Sequence, residues 1–350
     1  MPSPRYVLAQ PSLTEPDTII SQPPRYDPYG LHEAPRIHND QVKVTSEEFQ
    51  HHWSRGVPVV VTHVQLQGAW DPQYFVTDPE HKKVKVTLVD CETEKTRQST
   101  VADFFGSFGK LEGRTKIEKV KVRFSPLPGI SLAHGAGPLQ QDWPPSEFLA
   151  DVLPQLCTDF SKSLPCPAMA CLDGALNYAS NFPLNVVGPD LGRILFVHGN
   201  TIRINNILLD AGLKTYNALA SVQDNYHSGS TRLHKDLTDA VNVMLWAAEF
   251  AKDVPVCALW HIFSGAASRI INEFLRRRGF TGLRDLIHLQ QVYLTPALLN
   301  LLFEQTGVRP WTILQQPGDA VYIPAGCAHQ VRLSFALSYK YAGWTRDCRP

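Results

Sequence analysis

Three residues with metal-binding side chains lie beside short apolar segments, and they constrain the fold more than any other feature of this sequence. His234 and Asp236 precede the apolar segment 240–246, and His329 follows two turn signals in residues 317–326. Side chains at i and i+2 of an extended strand share a face, so His234 and Asp236 can reach one metal ion while Lys235 points away. His329 must then lie on a neighbouring strand, as in a small antiparallel barrel.

Two histidines and one carboxylate form the facial triad that binds non-heme Fe(II) and leaves coordination positions open. The spacing alone is weak evidence. With 13 histidines and 33 acidic residues among 350 positions, chance gives about one His-x-Asp/Glu match. A second match, His38 with Asp40, lies in a proline-rich segment in which no strand is predicted. We therefore expect His38 to be solvated and favour His234.

The composition excludes several classes of protein. The chain is 43% hydrophobic with a net charge of zero, which does not favour bulk electrostatic capture of nucleic acid. Seven scattered cysteines form no Cys-x-x-Cys pair, and no signal peptide is recognised, which predicts reduced thiols in an intracellular protein. No apolar run approaches the roughly 18 residues that span a bilayer.

The hydrophobic pattern predicts helices around an antiparallel β core. We expect a flexible proline-rich lead over 1–40 and one domain from about 41 to the C-terminus. The predicted helices are 42–53, 101–108, 145–156, 264–278 and 295–305, and the clearest predicted strands are 57–61, 84–89 and 320–323.

Several longer motifs give the chain a family resemblance. They are 142–148 (DWPPSEF), 176–180 (LNYAS), 188–192 (GPDLG), 214–218 (KTYNA), 229–236 (GSTRLHKD), 239–244 (DAVNVM), 258–263 (ALWHIF) and 317–326 (PGDAVYIPAG). In this order the chain resembles JmjC-domain proteins over about 45–331. It is most similar to the lysine demethylases that act on lysine 9 of histone H3.

The resemblance implies a mainly β fold with flanking helices, a double-stranded β-helix (jelly-roll, cupin-like) core. It also implies Fe(II), 2-oxoglutarate and dioxygen, and a nuclear enzyme that hydroxylates the N-methyl group of a lysine and releases formaldehyde, succinate and CO2. His234, Asp236 and His329 match the catalytic iron ligands. Thr231 and Lys252 match residues that hold the distal carboxylate of 2-oxoglutarate, with Lys340 next in line for the lysine.

Other matching positions have structural alternatives. Asn242 also matches a cofactor-binding position, although satisfying the local backbone explains it equally well. Packing explains Trp260, His261 and His227 better than ligation.

Three stretches depart from the family pattern: 122–140, 193–213 and 332–350. Each begins abruptly, and after the first two the family motifs resume intact, which favours retained intron sequence. Genuine surface insertions are the alternative, because loops tolerate extra length at small entropic cost. The third stretch replaces the strand and helices that close the domain in relatives, so we expect an incomplete C-terminal end and an exposed strand edge.

Two further interpretations of function stay open. A JmjC protein hydroxylase would use the same iron and cosubstrate, because the triad determines the chemistry and not the substrate. A non-catalytic chromatin-associated relative would keep the ligands without a competent pocket. Turnover of 2-oxoglutarate by the purified chain separates this last case from the two enzymes.

Overall fold

The computed structural model describes residues 32–42, 47–110, 112–124, 139–143, 152–171, 174–176, 216–219, 229–236, 239–251, 254–282 and 285–335. Its strands are β1 (Arg36–His38), β2 (Val59–Thr62), β3 (Lys85–Asp90), β4 (Thr96–Thr100), β5 (Glu118–Phe124), β6 (Leu139–Asp142), β7 (Ala218–Leu219), β8 (Thr231–His234), β9 (Ala240–Val243), β10 (Glu249–Ala251), β11 (Val254–Ile262), β12 (Trp311–Gln315), β13 (Ala320–Ile323) and β14 (His329–Phe335). Its α-helices are α1 (Glu47–Trp53), α2 (Pro72–Thr77), α3 (Val101–Gly106), α4 (Pro154–Ser163), α5 (Pro167–Ala170), α6 (Ser268–Arg277) and α7 (Pro296–Thr306).

Two sheets form a sandwich in which inward and outward residues alternate. One sheet has the order β1–β2–β13–β9, and the other has β10–β11–β14–β8 with β12 also paired to β11. Val60 and Val321 of the first sheet share an apolar cluster with Trp260 and Val331 of the second. Because side chains along a strand alternate between its two faces, every second residue of these strands is buried between the two sheets. The predicted fold, a mainly β jelly-roll with flanking helices, is confirmed.

Two amphipathic helices cover the outer face of the second sheet. Ile271 of α6 and Leu299 of α7 pack with Phe263 in one buried cluster. Helix α7 begins after Thr295, whose hydroxyl accepts the Leu298 N–H at 3.3 Å. It ends at Gly307, whose φ of 70° is the left-handed conformation that glycine adopts at helix ends. Both predicted helices are confirmed to within a few residues.

A third sheet lies beside the sandwich, with the order β4–β3–β5–β6 and with β7 paired to β5. Its apolar face packs against α2, α3 and α4 through an aromatic cluster that includes Phe75, Phe105 and Trp143. The ends of the atypical stretch 122–140 take part in this sheet, because residues 122–124 of β5 pair with residues 139–141 of β6. Residues 125–138 and the whole of 193–213 lie outside the described residues.

The predicted lead is wrong at its C-terminal end. Arg36–His38 form β1, which pairs in parallel with Val60–Thr62, so a strand does surround His38. Ile37 is buried beneath α1, and the Arg36 guanidinium contacts the Asp319 carboxylate. A strand of three residues is too short to show a periodicity, so only its tertiary partners stabilise it.

One predicted helix falls mostly outside the described residues. Residues 144–151 of the helix expected over 145–156 are not described; residue 152 is helical, and α4 (Pro154–Ser163) begins as a separate helix after a bend at residue 153. None of the helices in the described part of the chain is long and apolar enough to cross a membrane.

Candidate metal centre

The pairing of β8 with β14 brings the two candidate histidines together. His234 lies directly opposite His329, and their ring centroids are 4.1 Å apart. The register shifts between His329 and Val331, so that Thr231 lies opposite Val331. Residues directly opposite one another in a ladder share a face, and Val331 faces the interior of the sandwich. This bulge therefore lets Thr231 and His234, three residues apart, both face inward.

Asp236 reaches the same point from a loop. We expected it to share a strand with His234, but β8 ends at His234 and Asp236 lies two residues beyond. The Gly326 N–H donates to the Asp236 carbonyl at 2.8 Å, and the Ala325 N–H donates to the Asp239 carboxylate at 2.7 Å. These bonds hold the loop against the turn before β14. As a result, Asp236 Oδ2 lies 3.7 Å from His329 Nε2.

The three side chains have the geometry of a metal site. One ligand atom from each of His234, Asp236 and His329 lies within 4.8 Å of the others. Among the described residues, no other group of three histidine, cysteine or acidic side chains is this close. The competing pair, His38 and Asp40, is 3.5 Å apart at the surface.

Backbone carbonyls orient both imidazoles. His234 Nδ1 lies 2.9 Å from the Arg232 carbonyl, and His329 Nδ1 lies 2.9 Å from the Cys327 carbonyl. A carbonyl oxygen can only accept, so each Nδ1 carries the proton and each Nε2 keeps its lone pair. Metal-binding histidines are oriented by such bonds. The donor set therefore fits a divalent transition metal.

Burial keeps both histidines in the neutral form that a metal requires. The pKa of His234 is lowered to about 4, first by burial and then by the neighbouring His329, although Asp236 opposes the shift. Burial also lowers the pKa of His329. At neutral pH both rings can therefore donate a lone pair without first losing a proton.

Comparison with known proteins agrees with this geometry. Residues 251–339, which include His329, match the family described as JmjC domain, hydroxylase. The chain contains a JmjC domain. It is 32% identical over 324 residues to lysine-specific demethylase 3A of Rattus norvegicus, covering 81% of this chain and 24% of that protein. Lysine-specific demethylase 3 of Drosophila melanogaster is 30% identical over 324 residues, covering 81% and 34%.

A plant relative is more distant. Lysine-specific demethylase JMJ29 of Arabidopsis thaliana is 27% identical over 367 residues, which cover 81% of this chain and 36% of that protein. The chain thus spans about a quarter to a third of the length of these relatives.

Trp260 forms one wall of the JmjC site, and the buried side-chain amide of Gln315 holds it in place. The Trp260 ring centroid lies 6.0 Å from that of His329, and its indole N–H donates to Gln315 Oε1 at 2.8 Å. Gln315 Nε2 donates to the backbone carbonyl of Asn242 at 2.9 Å and to its side-chain oxygen at 3.1 Å. The Asn242 amide oxygen is therefore engaged within the scaffold. This favours the structural alternative for Asn242 over a cofactor role.

Lys235 points away from the three candidate ligands, as strand alternation predicts. Its ammonium contacts the Asp285 carboxylate, which also accepts from Asn272 Nδ2 of α6 at 2.7 Å. This network anchors the segment between His234 and Asp236 to the helical layer of the JmjC domain. Neither Asp285 nor Asn272 had a recognisable signal in the sequence.

Thr231 has an unexpected partner. Lys119 Nζ, on β5 of the third sheet, donates to Thr231 Oγ1 at 3.0 Å. The sequence did not indicate Lys119, because a contact between residues this far apart depends on how the sheets pack. Lys252 and His227 lie outside the described residues, and so does Lys340. Trp260 and His261 are both buried, as the packing interpretation expects.

Proposed function

We propose that this JmjC domain is an Fe(II)- and 2-oxoglutarate-dependent dioxygenase that removes methyl groups from lysine side chains. The observation that carries the proposal is the arrangement of His234, Asp236 and His329. Both imidazoles have Nδ1 bonded to a backbone carbonyl, so two oriented Nε2 atoms converge with one carboxylate. This is the donor set of a facial triad with open positions.

Each ligand has a separate task. His234 and His329 supply neutral donors whose orientation is set before the metal binds, and Asp236 supplies the negative charge that offsets the cation. When bound, Fe(II) and 2-oxoglutarate supply the activation of dioxygen that oxidises a substrate C–H bond. Thr231 faces the same interior and is assigned to the distal carboxylate of 2-oxoglutarate, together with Lys252. Asn242 is retained as a weaker candidate for contact with the cosubstrate.

The relatives support the substrate class. Their names describe lysine-specific demethylases, which supports a methylated lysine as the substrate. From the motif resemblance we further assign this lysine to a histone tail, of the histone H3 lysine 9 type. Hydroxylation of the methyl group releases formaldehyde, while 2-oxoglutarate yields succinate and CO2. A histone substrate implies action in the nucleus. Among the residues that the structure describes, no feature of the site selects the methyl state.

Metal binding is the first test. Anaerobic Fe(II) titration of the purified chain should give one site, which the His234→Ala and His329→Ala variants should each lose while keeping their circular dichroism spectra. His38→Ala, which removes the other histidine of the same spacing, should bind as the wild type does. Wild-type affinity in His234→Ala would refute the ligand assignment.

The products identify the reaction. Histone H3 lysine 9 peptides with one, two or three methyl groups are each tested, and at least one should lose methyl mass as formaldehyde and succinate accumulate in equal amounts. A peptide that instead gains one oxygen would indicate a protein hydroxylase. Iron binding without any succinate would indicate a non-catalytic relative. Each outcome is distinguished by mass spectrometry of the peptide and assay of succinate.

A further inference from the structure

A cavity of about 610 Å³ lies at the end of the sandwich opposite the metal centre. It opens between the segments that follow β2 and β9 and the turn that precedes β13. At this end of the first sheet Ala320 pairs with Val243, whereas Ile323 pairs with Ala240 at the other end. The metal ligands lie beyond the Ile323 end, where the turn before β14 holds the Asp236 loop. Small-molecule sites have volumes of roughly 300–1,000 Å³, so the cavity is large enough for a ligand of its own.

Two tryptophans line this cavity, and neighbouring groups fix each of them. Trp70 Nε1 donates to Asp159 Oδ2 of α4 at 2.7 Å, and the Gly68 N–H donates to the same oxygen at 2.7 Å. Trp246 packs on Phe108, with 5.5 Å between the ring centroids. Both indoles are half-buried and keep surface toward the cavity. The aromatic lining is therefore held in position before any ligand binds.

The charged groups of the lining favour a cation. The Arg36 guanidinium contacts the Asp319 carboxylate, so these two charges offset each other. Asp71 caps α2, and its Oδ1 accepts the Tyr74 N–H at 2.9 Å. Within the described part of the chain, the other Asp71 oxygen has no hydrogen-bond or ion-pair partner. With His63 uncharged, the lining has a net negative charge.

Aromatic faces and a carboxylate together select a cation with an apolar surface. A ring face attracts a cation within about 6 Å of its centroid, and this attraction recognises quaternary ammonium groups. Such a group has no N–H to donate, so it needs apolar and aromatic neighbours and no ring of acceptors. Met244 and Leu245 add apolar surface to the same cavity for its methyl groups.

We propose that this cavity binds a quaternary ammonium group, with Trp70, Trp246 and Asp71 as its contacts. The side chain of a trimethylated lysine and the choline headgroup share this chemistry. The site is separate from the metal centre and does not depend on the proposed function.

The test compares a cation with a neutral molecule of the same shape. The full chain is titrated with choline, with N-acetyl-trimethyllysine amide and with 3,3-dimethylbutan-1-ol, in which carbon replaces the choline nitrogen. Ligand-observed NMR follows the methyl signals. At least one of the two ammonium ligands should bind, and its affinity should exceed that of the alcohol at least about fivefold.

Two variants locate the binding. Trp246→Leu should weaken the ammonium ligand at least about fivefold, and Trp246→Phe should retain part of the affinity because a ring face remains. Asp71→Asn should weaken it about threefold, and it keeps the helix cap because asparagine caps as well as aspartate does. Asp40→Asn removes an exposed carboxylate that does not line the cavity and should change nothing. His234→Ala should leave this binding unchanged, which separates the cavity from the metal centre.

The ligand that binds identifies the source of the ammonium group. Binding of trimethyllysine without choline would indicate a protein side chain, and the reverse would indicate a choline headgroup. Absence of binding by both, or equal affinity for the alcohol, would overturn the proposal. Wild-type affinity in both Trp246→Leu and Asp71→Asn would overturn it as well. If Trp246→Leu unfolds, Trp246→Phe and Asp71→Asn carry the same comparison.

Discussion

Replacing Gln315, which supports one wall of the metal centre, with leucine should lower the free energy of unfolding by about 2–3 kcal/mol. Gln315 is buried on β12, and its amide links Trp260 on β11 to Asn242 on β9. Leucine has a similar volume, so packing is largely kept, but the amide bonds are lost. The perturbation thus isolates hydrogen bonding from cavity formation.

The expected loss depends on which hydrogen bonds the partners of the Gln315 amide keep after the substitution. The Trp260 indole N–H is buried and loses its acceptor at 2.8 Å, which costs about 1–3 kcal/mol for an unsatisfied donor. The Asn242 side chain is half-buried, so water can replace part of its lost donor. The Asp319 carbonyl loses the bond from Gln315 Nε2 at 3.0 Å, but it keeps its bond from the Met244 N–H at 3.1 Å. One full penalty and one partial penalty give the expected total.

Urea denaturation followed by tryptophan fluorescence measures this change. Gln316→Leu is the matched control, because Gln316 is the next residue and is exposed, and surface substitutions usually change stability by less than about 0.5 kcal/mol. If the two leucine variants lose the same free energy of unfolding, or if Gln315→Leu loses less than about 1 kcal/mol, the amide does not stabilise this wall as argued.

Three further predictions concern cosubstrate binding, acid stability and the atypical stretch. Lys252→Ala should raise the apparent 2-oxoglutarate requirement at least about tenfold while Fe(II) still binds; an unchanged requirement would exclude Lys252. Burial alone would raise the pKa of Asp90, but hydrogen bonds from Thr93 and from the Glu92 and Thr93 N–H groups outweigh it and lower the pKa below its ordinary value. The ionised Asp90 carboxylate therefore stabilises the folded protein at pH values above the pKa of this group in the unfolded chain, and this stabilisation is lost as the pH falls. Asp90→Asn should lower the urea midpoint at pH 7, and its difference from the wild type should shrink as the pH falls below about 4; a difference independent of pH would contradict this. Removing 193–213 should raise the melting temperature and the succinate yield if this stretch is retained intron sequence, whereas a lower value of either would show that it belongs to the working protein.

The sequence by itself determined the local structure and the donor set. Apolar residues with a period of two or of 3.6 identified β3, β13, α6 and α7, because burial of one face leaves its trace in the order of residues. Helix α7 begins after Thr295 and ends at Gly307, and such capping residues are also local signals because they satisfy backbone groups at the helix ends. The candidate ligands His234, Asp236 and His329 followed from residue chemistry and family motifs.

Only the tertiary structure decided how these residues meet. The bulge that turns both Thr231 and His234 inward depends on the register between β8 and β14, and a local pattern carries no information on register across strands. The strand Arg36–His38 exists because β2 pairs with it. The carbonyls that orient the two imidazoles are present in every residue, so no residue type marks them.

The contact between Lys119 and Thr231 is the clearest case of this division. It joins two sheets whose strands are far apart in the chain, and its existence depends on how the third sheet packs beside β8. A lysine on a strand is, from sequence, a solvated charge. Packing alone brings that charge to the metal centre, because side chains distant in sequence interact only where the folded backbone brings them within reach.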